Sequence, residues 1–347
     1  MRSGLLSIAL FLTACATSLD SLPVGRSPVE GWCCVRGEEP LTLEYLGAGG
    51  WLLRMGEAAI LTAPFFSNPG LLDVTFGRIE SDSAAIERYL PPVSDVPAVL
   101  VGHAHYDHLM DLPYILRRRA PEARMYGSRT AANLLRGDPE LDPVRLVSVE
   151  ESAGNSEHPG SWHSTADGRI RFMALRSGHA PHFFGIHLFQ GERREPATEL
   201  PEWAGEWVEG TPLAYLIDFL SPEGEVLYRI HYQDAASTPP EGFPPPLADG
   251  IPVDLAIVCA PGYQEVRDFP EGILRRLEPR QVLVGHWESF FRSREEEEFR
   301  GVPATDLEGF LRRMEAALPA EAEWEIPTPG TTIRVAAATS PTPPEPR

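Results

Sequence analysis

The feature that most constrains this chain is a short cluster of metal-ligand side chains directly after an apolar run. His103, His105, Asp107 and His108 lie within six residues, after the predicted strand at 98–101. In extended chain His103 and His105 point the same way, so both imidazoles can reach one ion. Asp107 and His108 follow in a turn, where they can face a neighbouring ion. Mixed imidazole and carboxylate ligands fit Zn²⁺, Mn²⁺ or Fe better than a thiolate site does.

Two metal ions require further ligands, and the chain offers three candidates just past predicted strands. Each one alone is an ordinary polar loop residue. Together with the cluster they complete a site, because loops at strand ends can face a shared cleft. The candidates are His179 after the strand at 170–175, Asp234 after the strand at 226–230, and His286 after the strand at 282–284.

Short strand-like runs alternate with helical runs along the chain. Three strand candidates separated by glycine-containing turns come first, which is the pattern of a β-meander. The last predicted helix opens with Thr305 and Glu308, which are spaced as a capping box. Two β-rich halves that each carry helices predict an α/β fold, an αββα sandwich of two β-sheets with helices on the outer faces. The predicted strands are 41–46, 51–55, 59–62, 98–101, 144–149, 170–175, 184–189, 213–219, 226–230, 255–258 and 282–284, and the predicted helices are 112–118, 130–135 and one beginning near 305.

Charge limits the class of substrate. The chain has 50 acidic and 30 basic residues, and its formal net charge is −20. Such a field repels nucleic acid and other polyanions. We therefore expect a small-molecule or lipid substrate and no nucleic-acid partner. The oligomeric state is left open by the sequence.

The N-terminal segment has the pattern of an export signal. Arg2 precedes an apolar run at 5–11, which is too short to span a bilayer as a mature helix. The sequence Leu12-Thr13-Ala14-Cys15 resembles the bacterial lipobox, which implies that Cys15 carries a lipid anchor. With Ala16 next, the resemblance implies the outer membrane, facing the periplasm. The alternative is an ordinary signal peptide with a coincidental cysteine.

These observations divide the chain into four parts. We expect a signal at 1–15, a tether at 16–39, one folded domain at 40–337 and a disordered tail at 338–347. No disulfide framework is implied, because adjacent cysteines such as Cys33 and Cys34 seldom bridge each other. A bridge from either of them to Cys259 stays open.

The metal-ligand cluster resembles a known family motif. His103, His105, Asp107 and His108 match the H-x-H-x-D-H pattern of the metallo-β-lactamase superfamily, and the three later candidates match its other ligands in the same order. The likeness extends from about residue 41 to residue 335. It looks closest to the branch of the ascorbate-phosphate lactonases and the phospholipid-cleaving phosphodiesterases, through the segments 43–47, 64–67 and 285–287.

The resemblance implies two divalent metal ions. Zn²⁺ is the expected metal, with Mn²⁺ or Fe as alternatives. It also implies a role for each ligand residue: His103, His105 and His179 on one ion, Asp107, His108 and His286 on the other, and Asp234 bridging the two.

The expected activity is hydrolysis by a water molecule that loses its proton between two ions. Asp107 is the candidate for handling that proton, and His182 for contacting substrate or donating to an oxyanion. His231 ends a strand outside the matched positions and is interpreted as structural. The expected substrate is a phosphodiester or phospholipid-like molecule. Lactone or cyclic ester hydrolysis on the same site is one alternative, and a non-catalytic metal-binding envelope lipoprotein is another.

Two positions depart from the branch that the chain resembles. Members often carry His where this chain has Ala48, and Asp where it has Ala63. Loss of a residue that orients metal ligands typically costs ~10 to 100-fold in metal affinity or activity. We therefore expect either weaker activity or a different support for the ligands.

Overall fold

The computed structural model describes residues 39–182, 185–295 and 298–335, and within them the strands form two seven-stranded sheets. The predicted signal with Cys15, nearly all of the predicted tether, the tail and residues Cys33 and Cys34 lie outside the described residues. No helix in these ranges is long and apolar enough to cross a membrane.

The first sheet combines an antiparallel half with a parallel half. Its order is β14-β1-β2-β3-β4-β5-β6, and pairing is antiparallel from β14 to β3 and parallel from β3 to β6. Strand β14, at the end of the described chain, forms one edge of this sheet by pairing with β1. The strands are β1 (Leu41–Gly47), β2 (Gly50–Met55), β3 (Ala58–Thr62), β4 (Ala98–Leu100), β5 (Arg124–Gly127), β6 (Leu146–Ser148) and β14 (Thr332–Val335).

The second sheet has the same division. Its order is β13-β12-β11-β10-β9-β8-β7, with antiparallel pairing from β7 to β10 and parallel pairing from β10 to β13. Its strands are β7 (Trp162–Ser164), β8 (Ile170–Arg176), β9 (Leu213–Leu220), β10 (Val226–Tyr232), β11 (Leu255–Cys259), β12 (Gln281–Gly285) and β13 (Glu323–Glu325).

Alternating side chains bury the two faces of the first sheet in different cores. Leu53 of β2 belongs to the core shared with the second sheet, whereas its neighbour Leu52 packs in the core shared with helices. Tyr215 of β9 spans the gap between the sheets, and its hydroxyl donates to the backbone oxygen of Val101 at 2.9 Å. The sandwich interior therefore lies directly beneath the cluster that begins at His103.

Helices cover both outer faces. The helices α1 to α5 follow β3, β4 and β5, and apolar side chains of α2, α4 and α5 pack in the helical core of the first sheet. Strands β11 and β12 are buried at every position, as strands covered on both faces are. The helices are α1 (Leu71–Phe76), α2 (Ser83–Tyr89), α3 (Tyr106–Leu109), α4 (Leu112–Arg118), α5 (Arg129–Leu135), α6 (Glu271–Leu277) and α7 (Leu307–Ala317). The predicted αββα sandwich is confirmed.

Three local predictions are corrected by the structure. Helix α7 is capped by Asp306, whose side chain accepts from the backbone N–H of Gly309 at 2.8 Å, and not by a box of Thr305 and Glu308. The strand predicted at 144–149 starts later, because Pro143–Arg145 form a 3-10 turn. The described part of the strand predicted at 184–189 lies in a turn and irregular chain.

His231 is buried in β10, as expected for a structural residue. Its Nε2 lies 2.8 Å from the backbone oxygen of Gly242 and donates to it. Burial lowers the pKa of His231 to about 4. The folded protein therefore keeps this imidazole neutral in a pH range where an exposed histidine binds a proton.

Acidification is expected to destabilise the fold through His231. The folded pKa of about 4 lies below the ordinary value of 6.5, so the unfolded chain binds a proton at His231 at a higher pH than the folded chain does. The free energy of unfolding is therefore unaffected by His231 above pH 6.5 and falls as the pH drops from 6.5 towards 4. The free energy of unfolding changes by at most about 3 kcal/mol over this range because of His231. We expect His231→Gln to flatten the pH dependence of the unfolding free energy, measured by urea titration at pH 7 and pH 4.5 with EDTA present. A slope equal to that of the wild type would contradict the assignment.

Candidate metal centre

The structure brings all seven predicted ligands together at one edge of the sandwich. Each follows the carboxyl end of a strand: the cluster follows β4, and the later ligands follow β8, β10 and β12. The clustered residues Asp107 and His108 lie in the short helix α3. The ligand atoms of three overlapping groups lie within 4.8 Å of one another in each group: His103–His105–His179, His103–His108–Asp234 and Asp107–His108–His286.

The first trio consists of the imidazoles of His103, His105 and His179. Their ring centroids are 4.8 Å apart for His103 and His105, 4.6 Å for His103 and His179, and 4.9 Å for His105 and His179. His179 Nδ1 donates to the backbone oxygen of Ala180 at 2.6 Å, which leaves a lone pair on Nε2. Among the described residues, the buried Nε2 of His105 has no hydrogen-bond partner.

The second trio consists of Asp107, His108 and His286. Asp107 Oδ2 lies 3.4 Å from His108 Nε2 and 3.2 Å from His286 Nε2, and the two nitrogen atoms are 3.1 Å apart. Three potential ligand atoms therefore face one small volume. This spacing suits one ion bound by two imidazoles and a carboxylate.

Asp234 connects the two trios. Its Oδ1 lies 3.3 Å from His103 Nδ1 and its Oδ2 lies 3.1 Å from His108 Nδ1. The hydroxyl of Tyr232 donates to the same Oδ2 at 3.1 Å. A Cβ at Gly102 would overlap this carboxylate, so glycine is required there for the close approach. The sequence predicted a bridging role for Asp234, and the residue lies between one member of each trio.

The electrostatics of the centre favour cations. Burial lowers the pKa of His103, His105 and His179, so these imidazoles are neutral, which is the form that binds metal. Burial also opposes charge on His108, but Asp107 and Asp234 outweigh it and raise the pKa of His108 to about 10. The two buried carboxylates, Asp107 and Asp234, therefore stabilise a cation at the centre. The set of imidazole and carboxylate donors fits divalent metal ions.

His182 lies beside the first trio, where a substrate-contacting residue was predicted. Its ring centroid is 5.3 Å from that of His105 and 5.1 Å from that of His179. Its Nδ1 accepts from the backbone N–H of Leu188 at 3.2 Å, and burial lowers its pKa to about 4. The neutral ring therefore carries its proton on Nε2, from which it can donate to a bound group.

Several residues around the centre were not predicted. Asp111 is fully buried and accepts from the backbone N–H groups of Phe66 at 2.6 Å and Ser67 at 3.0 Å, which fixes the loop after β3. Glu209 Oε2 lies 3.7 Å from His179 Nδ1, and burial raises the pKa of Glu209 to about 7. Asp111 has a weak sequence signal, since it lies one helical turn after Asp107. Glu209 has none, because it lies in a loop far along the chain.

One of the two departures from the resembled branch, Ala48, contacts a candidate ligand, and the other, Ala63, contacts the end of β4. Ala48 is buried, and its backbone oxygen accepts from the N–H of His286 at 3.1 Å. Ala63 follows β3, and its N–H donates to the backbone oxygen of Leu100 at the end of β4. Neither methyl group can bind or orient a ligand, so the support for the metal ligands comes from backbone oxygen atoms, such as those of Ala48 and Ala180, and from other side chains.

Fold and site together define a candidate metal-binding protein, built as an αββα sandwich with His and Asp side chains at one edge. No family model matches the chain, and no curated protein sequence matches it.

Solved structures similar to this chain come from several organisms. Igni18, a novel metallo hydrolase from Ignicoccus hospitalis, is 14% identical, with 85% of this chain and 98% of that chain covered at a TM-score of 0.49. The metallo-beta-lactamase fold protein YhfI from Bacillus subtilis is 14% identical, with 84% and 99% covered at 0.47. CmlA, a diiron beta-hydroxylase from Streptomyces venezuelae, is 17% identical, with 86% and 54% covered at 0.46.

Proposed function

We propose that this chain is a metal-dependent hydrolase of the metallo-β-lactamase superfamily that binds two divalent ions. The observation that carries the proposal is the convergence of two ligand trios that are linked by Asp234. Two ions there would lower the pKa of a bound water molecule and polarise a phosphoryl or carbonyl oxygen. Zn²⁺ is the proposed metal, with Mn²⁺ or Fe as alternatives, because imidazole and carboxylate ligands suit all three.

Two side chains of the centre have proposed roles in the reaction itself. Asp107 is buried, yet His108 and His286 hold its pKa well below the usual range against the effect of burial, so it is an anion in the folded chain. From its place beside His286 it is proposed to accept the proton of a bound water molecule. His182 carries its proton on Nε2 and is proposed to donate it in a hydrogen bond to the oxygen on which charge develops.

Aromatic rings beside the imidazoles support an amphiphilic substrate. The ring of Phe189 lies 6.0 Å from the rings of both His105 and His182. Tyr106 lies 6.4 Å from Phe189 and 6.3 Å from Phe290, and Phe290 lies 5.1 Å from His286. Phe189 and Phe290 are partly exposed, so they can contact a bound molecule. We therefore propose a phosphodiester or phospholipid-like substrate whose apolar part lies against these rings.

Phe189 offers a test of this contact. Its backbone has a φ of 57°, which is uncommon for a bulky residue, and its oxygen accepts from the N–H of Glu209 at 2.9 Å. We expect Phe189→Ala to raise KM about 10-fold for phosphodiesters with aryl or alkyl chains and to leave dimethyl phosphodiesters unaffected. Val144→Ala, at an exposed apolar residue, is the control. Equal changes for both kinds of substrate would contradict the contact.

The proposed activity is tested with the full chain in mild detergent. Metal-free protein receives Zn²⁺ or Mn²⁺ and is assayed with bis-nitrophenyl phosphate, a lactone panel and a β-lactam. We expect phosphodiester turnover that EDTA removes and added metal restores. Turnover of lactones alone would support the cyclic ester alternative. Inactivity on every substrate with two ions bound would contradict a hydrolase and favour a metal-binding envelope protein.

A lipid anchor on Cys15 and a position on the outer membrane, facing the periplasm, are part of the proposal and rest on the sequence of residues 1–15. An anchor would hold the metal centre close to lipid substrates. We expect a clickable palmitate analogue to label the wild-type chain in a bacterial host and not Cys15→Ser. Absence of label from both would contradict the anchor.

A further inference from the structure

A buried carboxylate lies behind the second trio and takes no part in the chemistry described so far. Glu288 follows His286 by two residues and is only 4% exposed. Its Oε1 accepts from the backbone N–H of Ala48 at 2.6 Å, and its Oε2 accepts from the hydroxyl of Tyr45. Both oxygen atoms of Glu288 are therefore bound to the strand and turn that face His286.

The hydroxyl of Tyr45 links Glu288 by hydrogen bonds to His286, a candidate metal ligand. Its oxygen accepts from the backbone N–H of His286 at 2.8 Å, while its proton goes to Glu288. The same N–H also lies 3.1 Å from the backbone oxygen of Ala48. The hydrogen bonds thus run from His286 through Tyr45 to Glu288, and from Glu288 back to the turn at Ala48.

His286 needs such support because of its backbone. Its φ is 54°, in the left-handed region that residues with a side chain seldom adopt. A residue in that region keeps its conformation only when its surroundings fix it. This conformation brings the imidazole Nε2 to 3.2 Å from Asp107 Oδ2, so the backbone of His286 sets the geometry of the second trio.

The guanidinium of Arg294 and the side chain of Glu288 both lie close to Gly47. The guanidinium of Arg294 donates to the backbone oxygen of Leu46 and, at 2.8 Å, to that of Phe65. A Cβ at Gly47 would overlap this guanidinium and would lie 3.0 Å from Glu288 Oε1. Gly47 also has a φ of 95°, so glycine is required there twice. Carboxylate, guanidinium and glycine form one packed unit around the turn.

We propose that Glu288 and Tyr45 are positioning residues that hold His286 in its left-handed conformation for the ion bound by the second trio. The inference rests on the proposed dinuclear centre. Neither residue touches that ion, and each acts through the backbone of His286. Ala48 and Ala63 have no side chain that could orient a ligand, so the pair supplies the side-chain support for the ion of the second trio, beside the backbone oxygen of Ala48.

Tyr45→Phe is the first test, because it removes one of the two acceptors of the His286 N–H, together with the hydrogen bond to Glu288, and keeps the ring. We expect the affinity for the Zn²⁺ ion of the second trio to fall ~10 to 100-fold, while the ion of the first trio binds as in the wild type. The measurement is Zn²⁺ titration against a chromophoric chelator, together with thermal unfolding in EDTA. Tyr228→Phe is the matched control, because Tyr228 is a buried tyrosine whose hydroxyl donates to the backbone oxygen of Glu39, away from the centre.

Glu288→Gln is the second variant, and a double variant carries both Tyr45→Phe and Glu288→Gln. If the pair acts as a unit, the double variant loses no more affinity than the larger of the two single losses. The inference would be overturned if the affinities for both Zn²⁺ ions fell equally. It would also be overturned if the variants bound the ion of the second trio as tightly as Tyr228→Phe does. Failure of both variants to fold would also overturn it, because the pair would then serve the fold as a whole. A wild type that binds fewer than two ions would instead contradict the dinuclear centre itself.

Discussion

Asp107→Ala is expected to abolish hydrolysis while the protein stays folded. Asp107 is the carboxylate of the second trio, with Oδ2 at 3.2 Å from His286 Nε2 and 3.4 Å from His108 Nε2. Removing it takes away one ligand and the proposed proton acceptor together. We expect kcat/KM to fall by at least the ~10² to 10³-fold that loss of a single electrostatic contact with the transition state costs.

The measurement is steady-state kinetics on the phosphodiester, with metal content determined on the same samples. Asp138→Ala is the control, because Asp138 is a buried carboxylate that pairs with Arg117 in the helical layer. The control should keep both activity and metal. Wild-type turnover by Asp107→Ala would contradict the assignment of the second trio.

Arg229→Ala is expected to cause the largest loss of stability among single substitutions considered. Arg229 is 1% exposed, and its Nε and Nη2 lie 2.7 Å from the two carboxylate oxygen atoms of the fully buried Asp218. Removing the arginine leaves a buried charge poorly compensated, which typically costs ~3–5 kcal/mol. We expect the low end of that range, because Arg171 still contacts Asp218 at 2.9 Å.

Denaturant unfolding in EDTA measures this effect on the fold alone. Arg78→Ala is the comparison, since the ion pair of Arg78 with Glu202 is more than half exposed on both sides and such pairs contribute under ~1 kcal/mol. Equal losses in the two variants would show that the buried network on β9 and β10 does not stabilise the sandwich as described.

The ligand set could be predicted because its signals are local. His103, His105, Asp107 and His108 are adjacent in sequence, and the later ligands follow clear apolar strands. Short strand-like runs separated by glycine-containing turns made β1, β2 and β3 predictable in the same way. Strands β5, β7, β13 and β14 were missed because each is short and none contains a run of apolar residues; in β13 one tryptophan stands between two glutamates.

One wrong prediction is informative about the site. Four of the six residues at 184–189 are large and apolar, which favoured a strand. In the structure Ile186 is 48% exposed and Phe189 packs beside the histidines of the first trio. The apolar character of this segment therefore belongs to the rim of the metal centre rather than to a buried strand.

The support of the ligands could not be predicted from the sequence. Tyr45 and Glu288 are 243 residues apart, and no local pattern connects them. The cap of α7 shows the same limit on a smaller scale, because Thr305 and Asp306 are both good capping residues and only packing decides between them. Ala48 and Ala63 depart in sequence from the resembled branch, but the contacts of Tyr45 and Glu288 with the turn at Ala48 and with His286 appear only in three dimensions.

Metal stoichiometry tests the central claim most directly. The purified chain, stripped with chelator and reloaded with Zn²⁺, is analysed by inductively coupled plasma mass spectrometry beside His179→Ala and His286→Ala. The two-trio arrangement predicts two ions per wild-type chain and one in each variant, because each substitution removes a ligand from one trio only. A wild-type chain that binds one ion or none, or variants that both retain two, would contradict it.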